Sequence, residues 1–181
     1  MDSLALNYNP LANVDDGFCC GSSLSIPFGT QIGQDLDGEA SGDFSGASVS
    51  FSDDGNRLAI GADANDGNGN SSGHVRVFEN INGTWIQIGQ DIDGSGANVN
   101  SGYSVSLSGD GNRLVIGSPN HSASGQGLWS GQVRVFEYDG MSWNQLGQDL
   151  NGLGSHWRFG WKTAINYNGN YMIIGAPDKN N

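Results

Sequence analysis

The chain has 181 residues and a formal charge of −12, from 19 acidic against 7 basic side chains. That length allows one ordinary domain with a real core. The acidity argues against nucleic-acid and anionic-membrane partners, and no run of eighteen apolar residues provides a transmembrane helix.

Residues 1–27 form a turn-rich acidic segment of their own. Asn7-Tyr8-Asn9-Pro10 and Asp15-Asp16-Gly17 are turn chemistry, followed by the adjacent pair Cys19 and Cys20. Neighbouring cysteines cannot staple distant parts of the chain to each other, and no CxxC or His/Cys cluster supports structural zinc. The first ten residues lack the regions of a signal peptide.

From residue 28 the chain repeats. Ile32–Gly38 (IGQDLDG), Ile88–Gly94 (IGQDIDG) and Leu146–Gly152 (LGQDLNG) recur at offsets of 56 and 58. Gly73–Glu79 (GHVRVFE) returns as Gly131–Glu137 (GQVRVFE), and Trp85 and Trp143 head matching segments. Ser48–Ala62 reads SVSFSDDGNRLAIGA, Ser104–Ser118 reads SVSLSGDGNRLVIGS, and a worn copy runs from Thr163 to Ala176. In each, two alternating runs flank a Gly-containing turn, which predicts strands in a hairpin. Four strand-like pieces per unit, near 28–83, 84–141 and 142–181, predict an all-β fold. The expected form is β-propeller blades of four antiparallel strands, about two and a half to three of them present, so an incomplete propeller. Because a closed propeller takes at least four blades, the chain is expected to be a fragment of a larger repeat protein or a ring-forming oligomer.

Within that scheme Arg76 and Arg134 are expected at a solvent-facing outer edge. Trp85 and Trp143 should cap outer strands with the indole N–H near water. The loops 63–72 and 119–130 differ in length by two residues. They are expected at one rim, where a protein or glycan ligand would bind.

Phe159-Gly160 with Gly175-Ala176-Pro177 resembles the paired signatures of FG-GAP repeats, the blades of integrin-α-type propellers. Gly46 and Gly102 fall in register with Gly160, as do Gly61 and Gly117 with Gly175. The N-terminal segment similarly resembles a short NYNP…DDGSC-type acidic module of secreted marine bacterial and algal-virus proteins, lacking its leading Cys. Together these resemblances imply an extracellular or cell-surface location. They also suggest that Met1 is internal to a longer protein.

Integrin-type blades carry a calcium loop between the signatures, but the turns Ser52–Asn56 and Ser108–Asn112 are too short to wrap an ion. Three other acidic spots offer alternating oxygens: Asp35/Asp37, Asp91/Asp93 and Asp66/Asn68/Asn70. Without a terminal bidentate acid they read as turn and capping chemistry, so calcium is possible there but not favoured, and no cofactor or metal residue is assigned. The histidines His74, His121 and His156 lack a catalytic spacing, and His74, replaced by Gln132 in the next unit, reads as an exposed strand residue. Arginines recurring at equivalent positions (Arg57 and Arg113, Arg76 and Arg134) read as architecture. No catalytic residue is assigned. The expectation is therefore a non-enzymatic extracellular module for adhesion or for ligand or protein binding. The alternatives are part of a propeller enzyme, a glycoside hydrolase or lyase with its catalytic residues outside this chain, or a structural spacer of a surface or virion protein.

Overall fold

In the computed structural model, which describes residues 31–179, the alternating runs pair as antiparallel strands. The acidic segment 1–27, with Cys19 and Cys20, lies outside the described residues. The first sheet contains β1 (Ser45–Phe51), β2 (Arg57–Ala62), β3 (His74–Ile81), β4 (Thr84–Gln87) and β5 (Ile92–Asp93). The second repeats it as β6 (Ser104–Leu107), β7 (Arg113–Ser118), β8 (Gln132–Tyr138), β9 (Trp143–Gln145) and β10 (Leu150–Asn151), and β11 (Lys162–Ile165) pairs β12 (Met172–Gly175) as a third. The fold is all-β, with no helix among the described residues.

Sheet order in the first sheet is β1-β2-β3-β4, with β5 also on the far side of β3. β4, headed by Trp85 in the recurring text, therefore hydrogen-bonds back to the preceding GHVRVFE strand, pairing Phe78 with Gln87 and Ile81 with Thr84. Sequence repeat and sheet are offset by one strand, because alternation shows that a segment is a strand but not which edge it joins.

The hairpin turns close on their own side chains. Asp54 Oδ1 accepts the Ser52 hydroxyl at 2.6 Å and the Asn56 N–H at 2.9 Å. Asp110 does the same with Ser108 and Asn112, at 2.5 and 3.1 Å. Gly55 and Gly111 hold φ of 70° and 71°, a region that favours glycine. Burial works against ionisation of Asp110, but the Ser108 and Asn112 hydrogen bonds and Arg113 outweigh it and keep the carboxyl below its usual range.

Sheets stack in chain order, and the glycines explain how closely. Gly102 and Gly160 adopt φ of 86° and 92°. A Cβ on Gly61 would lie 2.1 Å from the Gly102 carbonyl oxygen, and one on Gly117 would lie 2.1 Å from that of Gly160. This approach brings the serine face of one inner strand to the free edge of the next. Ser50 Oγ accepts the Leu107 N–H at 2.9 Å, Ser104 Oγ accepts Thr163 N–H at 2.9 Å, and Ser106 Oγ accepts Ile165 N–H at 3.1 Å. The apolar core fills the space farther out. Ala59, Val75, Val77, Ile88 and Ile92 of the first sheet and its outer connection meet Val105, Leu107, Leu114, Ile116, Phe136 and Trp143 of the second.

Two arginines and a tryptophan depart from the sequence expectation. Trp143 is 2% exposed, and its indole N–H donates to the Ile88 carbonyl of the first sheet at 3.1 Å, not to water. Gln90 clasps its backbone from both sides, accepting the Trp143 N–H at 3.1 Å and donating to its carbonyl at 2.7 Å. Gln34 repeats this clasp on Trp85, at 3.1 and 2.6 Å. Arg76 and Arg134 are half-buried bridges and not solvent-facing edge residues. Arg76 donates to the Asp37 carbonyl at 2.7 Å and Arg134 to that of Asp93 at 2.6 Å, each lying over the phenylalanine two residues on. They bridge because the third strand faces the segment leading in from the preceding unit. Arg57 and Arg113 are architectural as the sequence suggests. Each pairs with a glutamate one strand over, Glu79 or Glu137, and reaches the next hairpin turn, at Gly111 and Asn112 or at Gly169 and Asn170.

Gly117→Ala should lower stability by about 1–3 kcal/mol in denaturant unfolding, the cost of forcing an extra carbon into packed backbone. Gly96→Ala, whose Cβ would meet nothing within 4 Å, should be near neutral. Ser104→Ala leaves the Thr163 N–H without its acceptor and should cost about 1–3 kcal/mol in the same measurement.

Candidate functional site

All the long connections gather at one rim: 63–73 between β2 and β3, 94–103 between β5 and β6, 119–131 between β7 and β8, and 152–161 before β11. The two loops singled out from sequence are linked through the connection between them. Asn68 Nδ2 donates to the Gly94 carbonyl at 2.8 Å and Asn70 Nδ2 to Asn98 Oδ1 at 3.2 Å. Asn100 donates to the Asp63 carbonyl at 2.9 Å while accepting from Asn120 at 2.9 Å. Between them opens a groove of about 380 Å³, with Asn98, Asn120, His121 and Trp129 among its lining residues.

Three bulky residues at this rim hold left-handed backbone: Trp129 at φ 51°, His156 at 65° and Arg158 at 52°. Such conformations are unfavourable for large side chains and persist only where neighbours impose them. Here His156 and Arg158 both contact Trp129. The His156 ring meets Trp129 edge-on at 5.3 Å between centroids. The Arg158 guanidinium lies over Trp129 at 5.4 Å and over Trp161 at 5.2 Å. Backbone bonds from His156 to Leu128 and from Arg158 to Trp129 lock the two loops together. Trp129 remains 42% exposed.

The acidic spots resolve differently. Asp66, Asn68 and Asn70 do not converge: Asp66 Oδ1 caps the Ser71 N–H at 2.7 Å, and the two amides turn outward to Gly94 and Asn98. The Asp37 and Asp93 carbonyls receive arginines. Asp91 instead lies with Glu39 and His74, their ligating atoms all within 4.8 Å of one another. His74 is not the exposed strand residue expected from its replacement by Gln132. It is 1% exposed, at the start of β3 under the rim. A single strand position carries no signal of what covers it; Glu39 comes from outside the sheet.

In the second unit the equivalent place holds Gln132, whose amide donates to Asp149 at 3.1 Å and Asn151 at 3.2 Å and contacts His121 Nε2 at 3.4 Å. His121 Nδ1 is buried without a hydrogen-bond partner. Burial is the main force lowering the His121 pKa; Asp149 opposes it and Arg134 adds to it.

No protein-family model matches the chain, and no curated protein matches it. It is similar to the solved structure of a putative 6-phosphogluconolactonase from Bacteroides uniformis, with 22% identity and a TM-score of 0.47, over 72% of this chain and 32% of that one. A second, from Bacteroides fragilis, gives 22% identity and a TM-score of 0.47 over 72% and 31%. The chain thus spans about a third of the length of these structures. Both neighbours are described as enzymes, and on that finding the expectation of a non-enzymatic adhesion module is corrected. The likeness transfers no substrate and no residue. Repeated text reports packing: the left-handed backbone of Trp129, His156 and Arg158 recurs at Ser71, Asn98 and Asn100 of the preceding unit, whereas the side chains there, like His74 and Glu39, are not shared between the first two copies.

A histidine held neutral by burial makes the unfolded chain the better proton binder at mildly acidic pH. His121 therefore supports stability fully above about pH 6.5, its unfolded value, and that support drains away as pH falls through the lower folded value. His121→Asn, which installs the residue of the equivalent position Asn65, should flatten this acid-side loss in unfolding curves measured between about pH 7 and 5.

Proposed function

We propose that the sheets are successive blades of a β-propeller with FG-GAP-like repeats, and that its rim is the glycan-binding part of a propeller enzyme. The reaction class is glycoside hydrolysis or lyase cleavage, with the reacting residues contributed from outside this chain. The observation that carries this reading is the strained Trp129–His156–Arg158 cluster beside an amide-lined groove. A partly exposed indole offers an apolar face to a sugar ring, while Asn98 and Asn120 offer donors and acceptors to its hydroxyls. The net charge of −12 suits a neutral saccharide better than an acidic one.

Calorimetric titration of the chain with neutral oligosaccharides, chosen from a glycan array, tests the reading. Saturable binding weakened about tenfold by Trp129→Ala, a loss of about 1.4 kcal/mol, is expected. Absence of glycan binding, or binding indifferent to Trp129, would sink it.

A further inference from the structure

Under the rim of the first sheet, a buried imidazole faces two carboxylates, and among the described residues its ring makes no hydrogen bond. His74 opens β3, Asp91 immediately precedes β5, and Glu39 lies on the segment leading into β1. Glu39 Oε2 stands 3.7 Å from His74 Nδ1, beyond hydrogen-bonding distance. His74 is 1% exposed, so its ring has little water around it, and a polar group so deeply placed needs partners within the protein. The carboxylates are each oriented from behind: Gln87 Nε2 donates to Asp91 Oδ1 at 2.6 Å, and Asn65 Nδ2 donates to Glu39 Oε2 at 3.2 Å. Outer-shell amides holding ligating oxygens are the usual support of a metal site.

The second unit provides an internal control. At the positions of Glu39, His74 and Asp91 it carries Ser95, Gln132 and Asp149. There the glutamine amide nitrogen fills the space with bonds to Asp149 and Asn151, so that copy puts a neutral amide donor where the first puts an imidazole. Histidine and glutamate thus occur together in one copy, and where one is replaced so is the other. Packing alone does not require the pair, since the same backbone accommodates Gln and Ser.

We propose that Glu39, His74 and Asp91 bind a divalent transition-metal ion of the zinc type. Neutral imidazole with two carboxylate oxygens suits zinc, whereas calcium takes six to eight oxygens. With bonds of about 2.1 Å, tetrahedral ligands stand about 3.4 Å apart; Glu39 and His74 are 3.7 Å apart, and Asp91 within 4.8 Å of both closes in by a side-chain adjustment of about an ångström. Three protein ligands leave a fourth position on the side of Glu39, which is 46% exposed at its side chain. That open position admits water or a small anion. The site is independent of the glycan-binding reading and stands or falls by itself.

The test uses the full chain with Cys19→Ser and Cys20→Ser, so that thiols do not compete, and Zn²⁺ alone as probe. The paired change Glu39→Ser with His74→Gln gives the first unit the residues of the second, which keeps the fold accessible. Circular dichroism and the unfolding midpoint without metal check that it does. Titration against a chromophoric chelator should show one Zn²⁺ per chain, at least tenfold weaker in the paired variant. Calcium should neither bind nor displace it. Absence of saturable zinc binding, or equal binding by parent and paired variant, would overturn the proposal.

Discussion

An inner strand with no neighbour on one side leaves backbone N–H groups that need acceptors, and the next sheet supplies them from serine hydroxyls. Ser50, Ser104 and Ser106 each accept an N–H from the inner strand that follows. A hydroxyl reaches only if the sheets come close, and they come close only where glycine faces glycine, at Gly61 against Gly102 and Gly117 against Gly160. One constraint thus accounts for two features of the repeated text: small serines on one strand face and paired glycines at its end. These edge N–H groups are satisfied and the apolar residues farther out can meet.

Farther from the inner strands the stack is held by longer side chains. Gln34 and Gln90 clasp the backbone of a tryptophan in the next unit, and Arg57 and Arg113 reach forward to the next hairpin turn. Each device spends a repeated residue on the joint between units, not on a ligand. The third copy carries Tyr171 where the others carry these forward-reaching arginines, and Tyr171 is exposed. The copies differ instead in the rim loops of unequal length and in the Glu39–His74–Asp91 group that the second unit replaces.

Much of the strand content was legible because alternation and Asp-Gly turns are local signals. β1, β2, β6 and β7 follow from Val49, Phe51, Val105 and Leu107 alternating with serine, and from Gly55 and Gly111. Sheet membership was not legible, because β4 could join either unit until its bonds to β3 were seen. The same limit hid the site. His74 looked exposed because its replacement by glutamine was read as tolerance, yet both residues are buried and differ in the polar partners around them. Arg134 looked like a solvent-facing residue because its strand was taken as the last of a blade.

By itself the sequence determined an all-β chain of repeated hairpins, since turn chemistry and period-2 alternation act over a few residues. It also determined which residues belong to the framework, because a contact made at every joint must recur in every copy. Only the tertiary structure decided which polar residues are buried together. Glu39, His74 and Asp91 are separated by 35 and 17 positions, and no local rule links them. They meet because β5 returns to pair with β3 at Asp93 and His74, while the segment before β1 covers that corner.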